Sequence, residues 1–195
     1  MGLSKIRAWV GRSVLAAWFV GMVVVGAGLL AKHLVALPTP RAVDVAPAMN
    51  ALRTESEKGQ WLAVHVLSAD CRCSRRVAEH LAQSERPNDW KEVVLWVGDG
   101  PIDVHLDPAY FDVRHVSVAD LVASGIEAAP SLILVDPSGA VRYSGGYTDR
   151  KQGALIADLK LLSEVHAGET VAALPLFGCA VSERLQGELA SLPTP

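Results

Sequence analysis

The chain has 195 residues, half of them hydrophobic and a fifth charged, with a formal net charge of -3. That length suits one ordinary domain with appendages, and the composition is globular, lifted by an apolar N-terminus. The mixed charge, without any basic run carrying interleaved aromatics, excludes nucleic acid as an expected partner.

From Ser13 to Ala31 the sequence SVLAAWFVGMVVVGAGLLA runs 19 residues without a charge, about the length a helix needs to cross a bilayer. Lys5, Arg7 and Arg12 precede it, while Lys32, His33 and Arg41 follow. The more basic leading side is expected to stay in the cytoplasm. The apolar run exceeds the ~7–15 residues of a signal peptide, and no clean small-x-small cleavage site precedes Leu37. An uncleaved anchor is therefore expected, with a cleaved signal or a buried core helix as the alternatives. The expected organisation is residues 1–12 in the cytoplasm, 13–36 as transmembrane anchor, 37–48 as Pro-rich tether, 49–168 as folded domain and 169–195 as C-terminal extension. Beyond such an anchor lies an oxidising compartment where disulfides persist. A bacterial inner membrane, single-pass, with the C-terminal domain facing the periplasm, is the simplest setting.

Leu37 to Ala48 (LPTPRAVDVAPA) holds three prolines and reads as an extended, semi-rigid tether. Met49 to Lys58 has good helix formers, and Gly59 is a plausible stop. Trp61 to Leu67 is a strand by its aliphatic content and length, and Cys73 to about Ser84 continues as a helix. Pro87-Asn88-Asp89 breaks the chain before a second apolar strand, Val93 to Val97. Continuous rather than alternating apolarity points to strands covered on both faces.

Gly98 to Arg114, rich in Gly, Pro and Asp, predicts no element. Within it Asp103, His105 and Asp107 alternate; on a strand they would share a face and offer metal ligands, or form a solvated polar edge. Val116 to Ser124 predicts a short helix stopped by Gly125. Ser131 to Val135 and Ala140 to Ser144 form a hairpin through Asp136-Pro137-Ser138-Gly139, a type I pattern with Asp first, Pro second and Gly fourth. Gln152 to His166 places Leu155, Ile156, Leu159, Leu162 and Val165 at helical spacing. The order gives a mixed sheet sandwiched by helices.

Chemistry concentrates at Cys71-Arg72-Cys73-Ser74, between the Trp61 strand and the following helix. A thiol there meets the positive end of the helix dipole and its unpaired N–H groups, which favour the reactive thiolate. Arg72, Arg75 and Arg76 add to this, and Asp70 opposes it. A third cysteine, Cys179, makes the count odd, so one thiol is free or paired between molecules. Cys179 either folds back to resolve a disulfide or is a small buried hydrophobe beside Leu176 and Phe177.

With these residues in view, the stretch from about Met49 to Gly168 resembles the thioredoxin-like superfamily. The resemblance rests on strand–Cys–helix at Trp61–Leu81, on GIEAAPSLILVDPSGAVRYSGGY at Gly125–Tyr147, and on the closing amphipathic helix. Together with the anchor, the layout is similar to membrane-tethered periplasmic thiol–disulfide proteins of the TlpA or ResA type, and to the RedB-like branch. The resemblance implies that Cys71 is the nucleophile and that Pro130 is a cis proline beside it, a bond type nearly confined to X–Pro. It places His65 where thioredoxins carry a buried acidic group that moves protons, a task histidine can perform near neutrality; the alternative is a core histidine satisfied by hydrogen bonding. His80, on the helix, is expected to be solvated.

The motif departs from Cys-x-x-Cys: Ser74 stands at the second-cysteine position and Cys73 comes one residue early. A Cys-x-Cys disulfide closes a small ring that meets normal geometry only with strain, and strain makes a disulfide more oxidising. The direction of exchange therefore stays open. The expected function is a membrane-tethered thiol–disulfide oxidoreductase acting on a protein thiol or disulfide partner outside the cytoplasm, with catalytic residues Cys71, Cys73, Cys179, His65 and Pro130. No cofactor is expected. The alternatives are a copper-handling protein, with Cys71 and Cys73 as soft ligands, and a redox-inert adaptor.

Overall fold

A computed structural model describes residues 3–151 and 153–191. It divides into two compact units, one built on the N-terminal helix and one spanning Ala36–Ala190. The first is α1 (Leu3–Leu34), within which Trp9–Gly28 is long and apolar enough to cross a membrane. Val14, Leu15, Trp18, Phe19 and Val25 are all exposed. A helix apolar on every side needs an apolar surrounding. That stretch includes Arg12 and overlaps the apolar run from Ser13.

In the second unit the elements are α2 (Ala42–Ala51), a 3-10 turn (Glu55–Glu57), β1 (Trp61–Ser68), α3 (Arg72–Gln83), β2 (Trp90–Val97), β3 (Phe111–Val116), α4 (Val118–Ala123), β4 (Ala128–Ala129), β5 (Ser131–Val135), β6 (Val141–Gly145), α5 (Asp158–His166), β7 (Cys179–Ala180) and α6 (Glu183–Ser191). The main sheet has the order β3-β2-β1-β5-β6. β1, β2 and β3 run parallel, while β5 is antiparallel to β1 and to β6. This is the expected mixed sheet between helices, a thioredoxin-like arrangement. Both faces of the central strands are buried. Ala63, Leu67, Val94 and Trp96 face α3 and α5 through Val77, Leu81, Leu161 and Leu162. The alternate residues Leu62, Val64, Val66 and Leu95 face α2 and α4 through Val45, Met49 and Leu121. That double cover is why apolar residues occupy successive positions over much of these strands instead of alternating with polar ones.

The structure corrects several boundaries. Leu37–Ala48 is no extended tether. Residues 42–51 form α2, begun by Arg41 pairing with Asp44 (2.6 Å), and Val45 and Met49 are buried in the core. Pro47 lies inside this helix and removes one helical hydrogen bond. It sits on the exposed side, where Val43 is also exposed, so water can replace the missing donor. The helix expected over Met49–Lys58 therefore ends at Ala51, and Thr54 and Glu57 form a capping box around the short turn that follows.

β3 lies partly in the stretch that predicted no element. It is an edge strand on which polar Asp112 and Arg114 pair with each other (2.6 Å), so its apolar signal is thin. Asp103, His105 and Asp107 are not on a strand; the Asp107 side chain instead accepts from the Ala109 N–H (2.9 Å). The helix expected from Gln152 starts at Asp158. Gln152 itself lies outside the described residues. Arg76 holds the Gly153 and Ala154 carbonyls, and Leu155 is 83% exposed, so its apolar character there marks a loop.

Candidate functional site

Cys71 is the N-cap of α3: its N–H bonds the Ser68 carbonyl (3.1 Å), and its own carbonyl accepts from Arg75 N–H (3.0 Å). The residue is only 1% exposed. Its Sγ lies 3.5 Å from the Ala129 carbonyl oxygen, to which the thiol form donates. The Ala129–Pro130 peptide bond is cis, so Pro130 stands beside the junction as the resemblance implies.

The C-terminal segment is not a detached extension. β7 pairs antiparallel with β4, matching Cys179 with Ala129 and Ala180 with Ala128. Val181 N–H and Ser182 N–H both reach the Glu127 carbonyl (2.7 and 3.3 Å). Leu176 and Leu185 are buried with Leu37 and Ala128 in a small core of their own. This pairing needs a residue without a side chain at 178. A Cβ on Gly178 would collide with the Ala129 carbonyl and approach the Pro130 ring to 2.7 Å.

All three cysteines therefore converge. The Cys71 thiol is held far below its ordinary range, first by a hydrogen bond from Cys179, then by one from Cys73, against the opposing effect of burial; Ser74 adds backbone and side-chain hydrogen bonds. In return Cys73 and Cys179 are pushed up, chiefly because each donates to Cys71. The arginines expected to acidify Cys71 are not among these causes. Arg76 acts instead on Cys73, together with Lys151. The arrangement is one buried thiolate supported by two thiols, and it can take part in sulfur exchange.

Ser74, noticed in the sequence only as a missing cysteine, is fully buried and its hydroxyl also accepts from Ser68 N–H (3.0 Å). It ties the end of β1 to the start of α3 and supports the Cys71 sulfur. A cleft of about 750 Å3 opens beside the cluster, lined by Arg72, Cys73, Arg76, Pro130, Tyr147 and Phe177.

Gly178→Ala is expected to push β7 away from β4 and remove the Cys179 donor. The pH midpoint for alkylation of Cys71 should then rise; an unchanged midpoint would show that the β4–β7 pair does not support the thiolate.

His65 directs both ring nitrogens to groups other than the cysteines. It is fully buried on β1, with Nδ1 2.9 Å from the Tyr147 hydroxyl and Nε2 2.8 Å from Glu92 Oε2. Arg86 donates to both Glu92 oxygens (2.9 and 2.5 Å) and to Asp158 Oδ2 (2.7 Å). His80 closes the chain with Nε2 2.8 Å from Asp158 Oδ1, so it is a partner of a buried carboxylate and not simply a solvated group. Tyr147 belongs both to this network and to the cleft wall, and links His65 to the site. The sequence showed no sign of the network, because its members are spread from β1 to α5 and each is an ordinary polar residue locally.

Burial opposes ionisation of Glu92 and Asp158. The bonds from His65 and Arg86 to Glu92, and from His80 and Arg86 to Asp158, outweigh it, lowering both and bringing Asp158 to about 2 from 3.8. Depressed carboxylates bind fewer protons in the folded state, so stability is present above their unfolded values and lost on acidification through the folded ones. Denaturant melts are expected to show about 2 kcal/mol lost from Asp158 alone between about pH 4 and pH 2. A flat profile over that window would contradict the network.

Among the described residues, no group of three His, Cys, Asp or Glu side chains is placed to hold a metal ion. Asp103 instead lies 3.9 Å from Arg75.

No protein-family profile matches the chain, and no curated protein matches it. Among solved structures, an uncharacterized conserved protein from Geobacillus kaustophilus is similar at TM-score 0.50 and 16% identity, over 67% of this chain and 81% of that one. A hypothetical protein from Sinorhizobium meliloti 1021 gives TM-score 0.45 and 20% identity, over 65% and 81%. The thioredoxin domain of a thiol-disulfide oxidoreductase from Bacteroides vulgatus gives TM-score 0.35 and 22% identity, over 44% and 69%. At these identities the likeness is one of fold, the five-stranded mixed sheet of order β3-β2-β1-β5-β6 between helices, with one apolar N-terminal helix ahead of it in the chain.

Proposed function

We propose that the protein is a membrane-tethered thiol–disulfide oxidoreductase that acts on protein thiols or disulfides outside the cytoplasm, in a bacterial periplasm. The observation that carries this reading is the β4–β7 register, which sets Cys179 opposite Ala129, the residue whose carbonyl oxygen lies 3.5 Å from the Cys71 sulfur, with Cys73 two residues further on. An inert cysteine in a core has no need of two thiol donors. α1 serves as the tether, and the basic residues ahead of its apolar span favour a cytoplasmic N-terminus. Cys71 is the central sulfur, Cys73 and Cys179 the thiols that can pair with it, and Pro130 shapes the wall beside them. His65 acts through Tyr147 and not by touching a cysteine.

Cys71 and Cys73, as soft thiolate ligands, would also suit Cu(I), and this keeps copper handling as the second reading. It ranks below exchange because the described side chains are not arranged as a three-ligand site. Cysteine pairing followed across a glutathione redox titration separates the two. A disulfide of Cys71 that forms and breaks reversibly, in the region of about -200 mV or above, is the expected result. Thiols that stay reduced throughout, and that copper protects from alkylation, would replace exchange with copper handling.

A further inference from the structure

Resting on the exchange reading, we propose that the working disulfide joins Cys71, at the start of α3, to Cys179 on β7, and that a partner's thiolate opens it by attacking Cys179. The entry sulfur is then not the one at the helix N-terminus but the one delivered by the C-terminal segment.

Access decides this. Cys71 is 1% exposed, Cys73 is half-buried and Cys179 is exposed. A thiolate arriving from solvent meets Cys179, which pairs with Ala129, the residue whose carbonyl lies against the buried Cys71 sulfur. Nor is the segment loose. It is held by the Glu127 carbonyl, by the Arg184 pair with the Glu127 carboxylate and by the buried Leu176 and Leu185. Cys179 thus stays beside Cys71 without any closing movement. Cys73 competes poorly as the disulfide partner. Its ring with Cys71 spans a single residue, within a turn already closed by the Arg75 N–H bond to Cys71, and disulfide geometry is hard to meet there. Its place is as a hydrogen-bond donor to the Cys71 sulfur.

The exchange balances as follows. The partner's thiolate bonds to Cys179 Sγ, the Cys71–Cys179 bond breaks, and its electron pair stays on Cys71. The partner's second thiol then gives up its proton and attacks the partner sulfur of the mixed disulfide. Cys179 leaves and takes up a proton. Two electrons have passed from the partner to the protein, with no net proton gained or lost when the partner starts as one thiolate and one thiol. The partner ends as a disulfide. This direction is favoured because the sulfur released first is the one that Ser74 and Cys73 support as an anion, and a more stable leaving thiolate leaves faster and makes the disulfide more oxidising. A low-mass disulfide such as oxidised glutathione restores the protein's own bond by the reverse steps.

The test uses the full chain in detergent, oxidised with oxidised glutathione and freed of the excess. It is then exposed briefly to one equivalent of reduced glutathione, quenched with acid and mapped by peptide mass spectrometry. The expected result is a Cys71–Cys179 crosslink before exposure, and a glutathione mass on the Cys179 peptide with none on the Cys71 peptide after it. A Cys71–Cys73 crosslink, or glutathione on Cys71, overturns the proposal while leaving exchange intact, since a reducible disulfide has formed. A chain in which Cys71 forms no disulfide at any glutathione ratio overturns both.

Discussion

Cys71→Ser is expected to reduce thiol–disulfide exchange to background, a loss on the order of 10³-fold or more, as when a covalent nucleophile is removed. The size follows from the division of labour among the three sulfurs. Cys71 alone is held as thiolate, whereas Cys73 and Cys179 are pushed up by donating to it. Once Cys71 is a hydroxyl, the anions of the remaining thiols are favoured only by the nearby charge of Lys151, with Arg76 acting on Cys73 as well, and no disulfide at this junction can form with residue 71. The reading is taken from oxidation of a dithiol peptide by the full chain. Activity retained in Cys71→Ser would exclude exchange at this site and move the redox-inert adaptor reading ahead. A partial loss is not expected, because no second thiolate is ready to take over.

Arg86→Met is expected to be the most destabilising single change, at about 3–5 kcal/mol, the usual cost of leaving a buried ion pair without one partner. Arg86 is 7% exposed and is bonded to Glu92 and Asp158, which are 1% and 0% exposed. Removing the guanidinium leaves two buried carboxylates with His65 and His80 as their remaining ion-pair partners among the described residues. Against a typical domain stability of about 5–15 kcal/mol, this approaches unfolding. The remedy is informative. Converting Glu92 and Asp158 to Leu in the same chain should recover much of the loss, since replacing all members of a buried ionic group with apolar residues is often neutral. Denaturant midpoints of the single and triple variants give both values. Equal losses in the two would mean that Arg86 acts by packing, for example over the Phe111 ring at 5.6 Å, and not by charge. In the single variant the acid window of Glu92 should also move to higher pH, because a bond that lowers its pKa is gone.

Parts of this architecture were legible because a local pattern sufficed. The runs at Trp61–Leu67 and Val93–Val97 are buried on both faces, so only His65, itself hydrogen-bonded in the buried network, interrupts their apolar character. The Asp136–Gly139 turn carries its own hydrogen bonds, with Asp136 accepting from the Ser138 and Ala140 N–H groups. α2 was hidden by Pro38, Pro40 and Pro47, whose cost at Pro47 is softened by exposure that a sequence does not display. β3 was hidden because an edge strand buries little and so carries mixed polarity. The helix ahead of Asp158 was over-extended because periodic Leu155 and Ile156 fit the pattern, while Arg76, far away in the chain, holds that stretch as a loop.

The sequence by itself determined the apolar N-terminal helix, the strand–cysteine–helix junction, the proline before β5 and the mixed α/β sheet, since each is written within a short window by periodicity, turn chemistry or uninterrupted apolarity. Only the tertiary structure decided that Cys179 meets Cys71, that Ser74 and two thiols support its anion, and that His65 belongs to a buried chain with Glu92, Arg86, Asp158 and His80. These are contacts between residues far apart in the chain. Their energy comes from burial and hydrogen bonding that exist only once the sheet has closed and β7 has paired with β4.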